Sequence, residues 1–294
     1  MSKIEDALNK AKKSRAQNQT GIRAINDSQS GTSGLNRGLV PTADNGERIQ
    51  HKSSSKEIAL MENGDVYDNE KLSELKIIYS EMSDNAVANT YRDLRTKLIQ
   101  KSQGNNFIVT VTSCVPGNDS GLTSLNIATA FSFDESKTSL LIDCNLNNPK
   151  LDDLLHMQAD QGLTDYLENE SIQIDNIMHK TGIKRLKMIP AGASRETATE
   201  YFTSLRMRQL MGSLLSRYSD RYIFLDTAPI NESADTRILV ELCDFVILVV
   251  PYGESNKSRI SEAAEAIGKD KLLGVVFNEI PKIPKLSLLN IFKA

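Results

Sequence analysis

The sequence predicts an α/β fold: a mostly parallel sheet with helices on both faces, preceded by a disordered N-terminal arm. Three observations carry this. From Asn106 onward, short apolar runs alternate with stretches of helical periodicity. Runs such as Phe245-Val-Ile-Leu-Val-Val250 lack the in–out alternation of a half-exposed strand, which fits strands covered on both faces. The first run passes through a turn of small residues, Cys114 to Gly121, straight into a helical pattern.

The elements follow in order. Ile4, Ala7, Leu8 and Ala11 recur at helical spacing, so residues 1–14 read as a short amphipathic helix. Such a segment is marginal alone in water; it either docks on a partner surface or frays. Residues 15–69 are rich in Ser, Asn, Gly, Thr and Gln and read as a disordered linker. The folded domain spans 70–280. Leu72, Leu75, Ile77, Ile78 and Tyr79 mark a short packed segment, and 86–100 a helix with Ala88, Tyr91, Leu94 and Leu98 on one face. Strands are expected at 107–112, 139–143, 186–190, 222–226, 245–250 and 272–277. Helices are expected at 124–133, 150–156, 163–168, 197–217, 236–242 and 258–267. The tail, 281–294, mixes Leu286, Leu289, Ile291 and Phe292 with lysines. It either packs on the domain or makes a peripheral membrane contact.

Composition narrows the function. The formal net charge of -3 lacks the basic excess of a nucleic-acid binder. No apolar run is long enough to span a bilayer, and the opening Met1-Ser-Lys-Ile-Glu-Asp-Ala-Leu8 lacks the apolar core of a signal peptide. A cytoplasmic protein is expected. Cys114, Cys144 and Cys243 are odd in number and lack metal-ligand spacing, so they read as reduced thiols. His51, His156 and His179 are scattered and sit in no motif.

In parallel sheets ligands bind beyond the carboxyl ends of the strands, so the strand-end residues matter most. The first strand ends in Pro116, Gly117, Asn118, Asp119, Ser120 and Gly121. A working phosphate loop, GxxxxGK[ST], wraps phosphates in backbone N–H groups, reaches them with its Lys and holds Mg²⁺ with its hydroxyl. Here no lysine lies between Lys101 and Lys137. A shifted register offers Thr123 as the hydroxyl, but Leu122 cannot serve as the lysine. Two further strands end in aspartate, at Leu140-Leu-Ile-Asp143 and Ile223-Phe-Leu-Asp226. Strand-end aspartates hold Mg²⁺ or its water shell in phosphate-transfer sites. They also cap turns and helix ends.

The run Val111-Thr-Ser-Cys-Val-Pro-Gly117 is followed by Asn126-Ile-Ala128, Leu141-Ile-Asp143 and Pro149. Gly162-Leu-Thr-Asp-Tyr-Leu167, Ile189-Pro-Ala-Gly192, Leu225-Asp226-Thr227 and Gly274-Val-Val-Phe-Asn278 complete the series. Together they resemble the bacterial tyrosine kinases (CpsD/CapB type) of capsule and exopolysaccharide assembly, within the MinD/ParA-like P-loop group. The resemblance covers roughly residues 88–278. The opening eight residues are similar to those of cytoplasmic partners encoded with exopolysaccharide systems.

The resemblance implies a P-loop NTPase-like fold, ATP with Mg²⁺, and an inner-membrane chain-length co-polymerase as partner. It also implies homo-oligomerisation through a helix bearing Glu-x-x-Arg-x-x-Arg. The departures matter as much. Against the family's Pro-Gly-Glu-Gly-Lys-Ser-Thr, Asn118 replaces Glu, Asp119 the loop Gly, Ser120 the Lys and Gly121 the Mg²⁺-binding hydroxyl residue. Asp119 also places negative charge where phosphates would sit. Asn145 replaces the family's second Asp, and Asn147 and Asn148 its basic residues. Asp143 and Asp226 remain, either as metal-site carboxylates or as caps. Asn278 matches a residue used near adenine, and is equally a good turn former. Asn89 replaces the Glu of the subunit contact, leaving Arg92 and Arg95 as an interface or a solvated face. The tail has no tyrosine to accept phosphate; the last tyrosine is Tyr252. The reading that results is a non-catalytic, pseudokinase-like component or regulator of exopolysaccharide polymerisation and export, with no cofactor. The alternatives are an ATPase or tyrosine kinase with an atypical site using ATP or ADP with Mg²⁺, and a MinD/ParA-like positioning protein.

Overall fold

The computed structural model describes residues 66–82, 85–116, 120–194, 198–217 and 220–278. The N-terminal helix expected at 1–14, most of the linker, the tail from 281, and Gly117, Asn118 and Asp119 of the loop lie outside the described residues.

In chain order the elements are α1 (Asn69–Glu74), α2 (Asn85–Lys101), β1 (Ile108–Ser113), α3 (Ser120–Ser132), β2 (Thr138–Asp143), α4 (Leu151–Leu154) and α5 (Leu163–Glu168). A 3-10 turn (Ile174–Asn176) precedes β3 (His179–Lys180) and β4 (Leu186–Ile189). Then come α6 (Thr199–Thr203), α7 (Leu205–Arg217), β5 (Arg221–Asp226), α8 (Ala234–Leu242), β6 (Phe245–Pro251), α9 (Lys257–Ile267) and β7 (Leu272–Asn278). The seven strands form one sheet in the order β3-β4-β2-β5-β1-β6-β7. All neighbours run parallel except β3, which pairs antiparallel with β4.

The uninterrupted apolar strands are covered on both sides, as their composition requires. On one face Val109, Val111, Leu141, Phe224, Ile247 and Val249 meet Leu125, Ile127 and Phe131 of α3 and Leu98 of α2. On the other, Ile108, Leu140, Ile223, Leu225 and Leu248 meet Met207, Leu210 and Leu214 of α7, Leu239 of α8 and Ile267 of α9. Helix α3 lies beneath α2, so every residue of it except Leu122 is buried. Each large side chain buried there contributes about 1.5–3 kcal/mol.

The structure departs from the sequence expectations in four places. Tyr67, inside the stretch read as linker, belongs to the fold: its N–H donates to Gly182 O at 2.8 Å and its hydroxyl to Leu155 O at 2.7 Å. The single helix expected over 197–217 breaks at Ser204, whose extended backbone ends α6 and whose hydroxyl accepts from Met207 N at 3.1 Å to start α7. The helix expected at 150–156 is one turn, α4. Strand β3, two residues long, has no periodicity from which to be read.

Candidate functional site

The chain leaves β1 toward β2 on one side and later crosses from β5 to β6 on the other. The carboxyl end of β1 is therefore a switch point, where crevices form in such sheets. Register brings the predicted residues there. Asp143 and Asp226 are Cα partners at the last rung between β2 and β5, and Asp226 is level with Val111 of β1. The start of α3 stands over this rung. A Cβ added to Gly121 would lie 3.6 Å from Asp226 Oδ2, 3.2 Å from Leu151 Cδ2 and 3.5 Å from Leu154 Cδ1. A side chain at 121 would thus point at Asp226, and α4 supplies apolar carbon beside it.

The two carboxylates are occupied differently. Asp143 is buried and accepts three backbone N–H groups: Asn145 N on Oδ1 at 3.0 Å, and Lys150 N and Leu151 N on Oδ2, each at 3.3 Å. It closes the loop after β2 and caps the start of α4. Burial pushes its carboxyl up to about 6, although the three donors pull the other way; nearby Asp152 adds to the rise. Asp226, 5% exposed, lies 2.6 Å through Oδ1 from the hydroxyl of Ser124, which also sits 2.9 Å from Ser120 O. Between them Cys144 is buried, its thiol pushed well up by burial and by both carboxylates.

Ser124 escaped the sequence reading, hidden in a helix rich in serine and threonine. Its spacing of one helical turn from Ser120 was the only available signal. Thr123, the hydroxyl expected under a shifted register, is buried and bonded to Tyr91 of α2, so it does not serve Asp226. Asn145 is half-buried beside Asp143. Asn278 ends β7, level with Pro251 of β6, and its carbonyl accepts from Tyr252 N at 3.0 Å. It stands two strands away from β1. Pro116 is exposed at the mouth of the loop.

Arg92 and Arg95 are bonded within the chain. Arg92 donates from Nη1 to Asn89 Oδ1 at 3.0 Å and from Nη2 to Ser80 O at 2.9 Å. Arg95 pairs with Asp134 at 3.3 Å and lies 6.0 Å from the Phe131 ring centroid. They fasten α2 to its neighbours. Among the described residues no group of three His, Cys, Asp or Glu could hold a metal ion.

No family model matches the chain. It is 31% identical to tyrosine-protein kinase YwqD of Bacillus subtilis over 191 residues, covering 64% of this chain and 79% of that one. It is 33% identical to tyrosine-protein kinase CpsD of Streptococcus pneumoniae over 176 residues, covering 59% and 76%. The chain belongs to the bacterial tyrosine kinase family. Solved structures agree on the fold. The chimeric protein CapA2B2 superposes with a TM-score of 0.63 at 22% identity, over 74% of this chain and all of that one. The kinase domain of Escherichia coli tyrosine kinase ETK gives 0.61 at 19% identity, over 74% and 91%. At positions 120 and 121 this chain has serine and glycine.

Proposed function

We propose that this chain is a non-catalytic member of the tyrosine kinase family. In this reading it is a cytoplasmic component or regulator of exopolysaccharide or capsule polymerisation and export, docking on an inner-membrane chain-length co-polymerase. One observation carries it. The position facing Asp226 is Gly121, which offers no hydroxyl, and Leu151 and Leu154 crowd it with carbon. Ser120 cannot replace a lysine, and a charge-assisted contact to phosphate is worth about 1.5–3 kcal/mol. Asp143 has both oxygens committed to backbone amides, so it serves the loop rather than a cation. These residues do not suit Mg²⁺-ATP in the family's manner.

The membrane partner follows from the family resemblance. It accords with a described chain in which no helix is long and apolar enough to cross a membrane. The N-terminal segment, 1–14, and the tail are the parts of the sequence that suit docking.

The test is calorimetric titration with ATP and ADP in Mg²⁺, for wild type beside a Ser120→Lys, Gly121→Ser double variant. The new serine needs Leu151 to yield only a few tenths of an ångström, since the obstacle is the end of a flexible side chain. Silence in the wild type and binding in the variant are expected. Wild-type ATP hydrolysis that disappears with Asp226→Ala would sink the proposal in favour of an ATPase or kinase with an atypical site.

A further inference from the structure

We propose that β7 is a dimerisation edge: two copies of this chain pair β7 against β7, antiparallel about a twofold axis at Val276, so that one sheet runs through both. Among the described residues β7 has a strand neighbour on one side only. Its seven residues, Leu-Leu-Gly-Val-Val-Phe-Asn, contain no charge and no proline. An apolar edge of this kind is a template for pairing with another chain, and native proteins usually blunt such edges.

The direction of the backbone groups sets the register. Tyr252 N donates to Asn278 O, so the main-chain groups of Asn278 face β6. A residue's N–H and C=O point to one side of its strand, and the side alternates along the chain. Those of Val276 therefore also face β6, and those of Val275 and Phe277 face the open side. The side chains of the same two residues are exposed, at 39% and 55%. They lie level with Leu248 and Val250, on the face that Ala263 and Ile267 of α9 cover, while Val276 packs with the cluster on the α3 face.

A twofold axis at Val276 sets Val275 of each copy opposite Phe277 of the other, with side chains on the same face. Each such pair exchanges two main-chain hydrogen bonds, and directly opposite Cβ atoms lie about 4.5–5.5 Å apart. Both outward-facing residues thus meet an outward-facing, apolar partner. An axis at Val275 would instead set Phe277 opposite Leu273, which the register break between Val246 and Ile247 turns to the α3 face.

The occupant is a second copy because the edge is complementary to itself. Twofold pairing brings residues near the axis against their own kind, and a charged edge would repel its copy. Residues 274–278 carry no charge. Farther out, the amino end of β7 is reached through Lys269, Asp270 and Lys271, a net positive turn, and its carboxyl end stands beside the exposed turn of Tyr252 and Glu254. Antiparallel pairing brings the positive end of one copy to the acidic end of the other. The helix contact implied by the resemblance is a different surface, and its Arg92 and Arg95 are bonded within the chain.

Sedimentation equilibrium of the full chain is the test. A monomer–dimer equilibrium in the micromolar range is expected, since an edge-to-edge interface is small. Val275→Lys and Phe277→Glu should each weaken it roughly tenfold or more, because symmetry enters every change twice. Both side chains are exposed, so circular dichroism should not change. The double variant sets each new lysine opposite a new glutamate of the other copy and should recover most of the loss. In a second measurement, Val276→Cys should cross-link to its own copy under mild oxidation. Its pair on the axis is not hydrogen-bonded, which holds the Cα atoms about 4.5 Å apart, within disulfide reach. The native cysteines are buried and do not compete. A monomer at every concentration overturns the proposal, and protection of the Val275 and Phe277 amides in that monomer would assign the edge to the rest of this chain. A dimer that neither single variant weakens, that the double variant does not recover, or that Val276→Cys does not cross-link overturns it as well, by placing the contact elsewhere or in another register.

Discussion

Asp143 and Asp226 face each other across the last rung between β2 and β5, yet they are held by different groups. Asp143 is fixed by the backbone of its own loop, and Asp226 by a side chain from another element, Ser124 of α3. The first is part of how a loop closes. The second joins the sheet to the helix that carries the candidate site.

The burial of Asp143 has a pH signature. Its carboxyl sits near 6 when folded and near 3.8 when unfolded, so between these values the folded state holds the proton more tightly. Its contribution to stability is therefore full below about pH 3.8, declines as pH rises, and is lost above about pH 6. Urea unfolding of wild type and Asp143→Asn at two pH values isolates it from the other carboxylates. Between about pH 4.5 and 6.5 the wild type should lose roughly 2 kcal/mol more than the variant. Parallel profiles would show that Asp143 is ionised across the range.

Ser124→Ala removes the short hydrogen bond to Asp226 in a buried setting. Taking the donor from a buried acceptor costs the acceptor's desolvation, so the expected loss is about 1–3 kcal/mol in chemical denaturation. Asp226→Asn keeps an acceptor for the hydroxyl and should cost less. A loss under about 0.5 kcal/mol for Ser124→Ala would remove Ser124 as the link between helix and sheet.

Strands β1, β2, β5 and β6 were legible because a strand covered on both faces must be apolar throughout, and these runs are. Asp143 and Asp226 were legible as strand ends. The capping role of Asp143 stood in the sequence only as one of two alternatives, because the amides of residues 145, 150 and 151 converge only once the loop has turned. Ser204 was passed over because Phe202 and Leu205, apolar and three residues apart, straddle it at helical spacing, although only Phe202 is buried. Arg92 and Arg95 looked free in sequence because Ser80 and Asp134 are remote along the chain.

Gly162 and Gly192 bring two loops together at the carboxyl end of β4. Leu163 N donates to Pro190 O at 2.8 Å and Thr164 N to Ala191 O at 3.0 Å, while Gly192 has φ of +80°. A Cβ at Gly162 would lie 2.5 Å from Pro190 O and 2.7 Å from Gly192 Cα. Both obstacles are backbone and cannot rotate away. Gly162→Ala should cost about 3 kcal/mol or more, or prevent accumulation of folded protein. Gly253→Ala is the control. Unlike Gly162 it has a φ of +80°, and it meets nothing within 4 Å, so only the left-handed backbone penalty of about 1–2 kcal/mol applies. Equal thermal shifts for the two would refute the close approach.

Tyr67 links the entry of the folded domain to the candidate site through α4. Its hydroxyl donates to the carbonyl of Leu155, the residue after α4, and its ring covers Gly182, where a Cβ would meet ring carbon at 2.8 Å. The turn it holds carries Leu151 and Leu154, the residues against Gly121. Tyr67→Phe should lose one hydrogen bond and about 0.5–1.5 kcal/mol, with the ring still in place. Tyr67→Ala removes ring and bond together, and should free the turn as well as lower stability by about 3 kcal/mol or more. Hydrogen exchange separates these effects. In Tyr67→Ala the amides of Leu154 and Leu155 should exchange faster while those of β1 and β5 fall only with global stability. If all four regions accelerate alike, Tyr67 stabilises the domain as a whole and does not govern the turn beside Gly121.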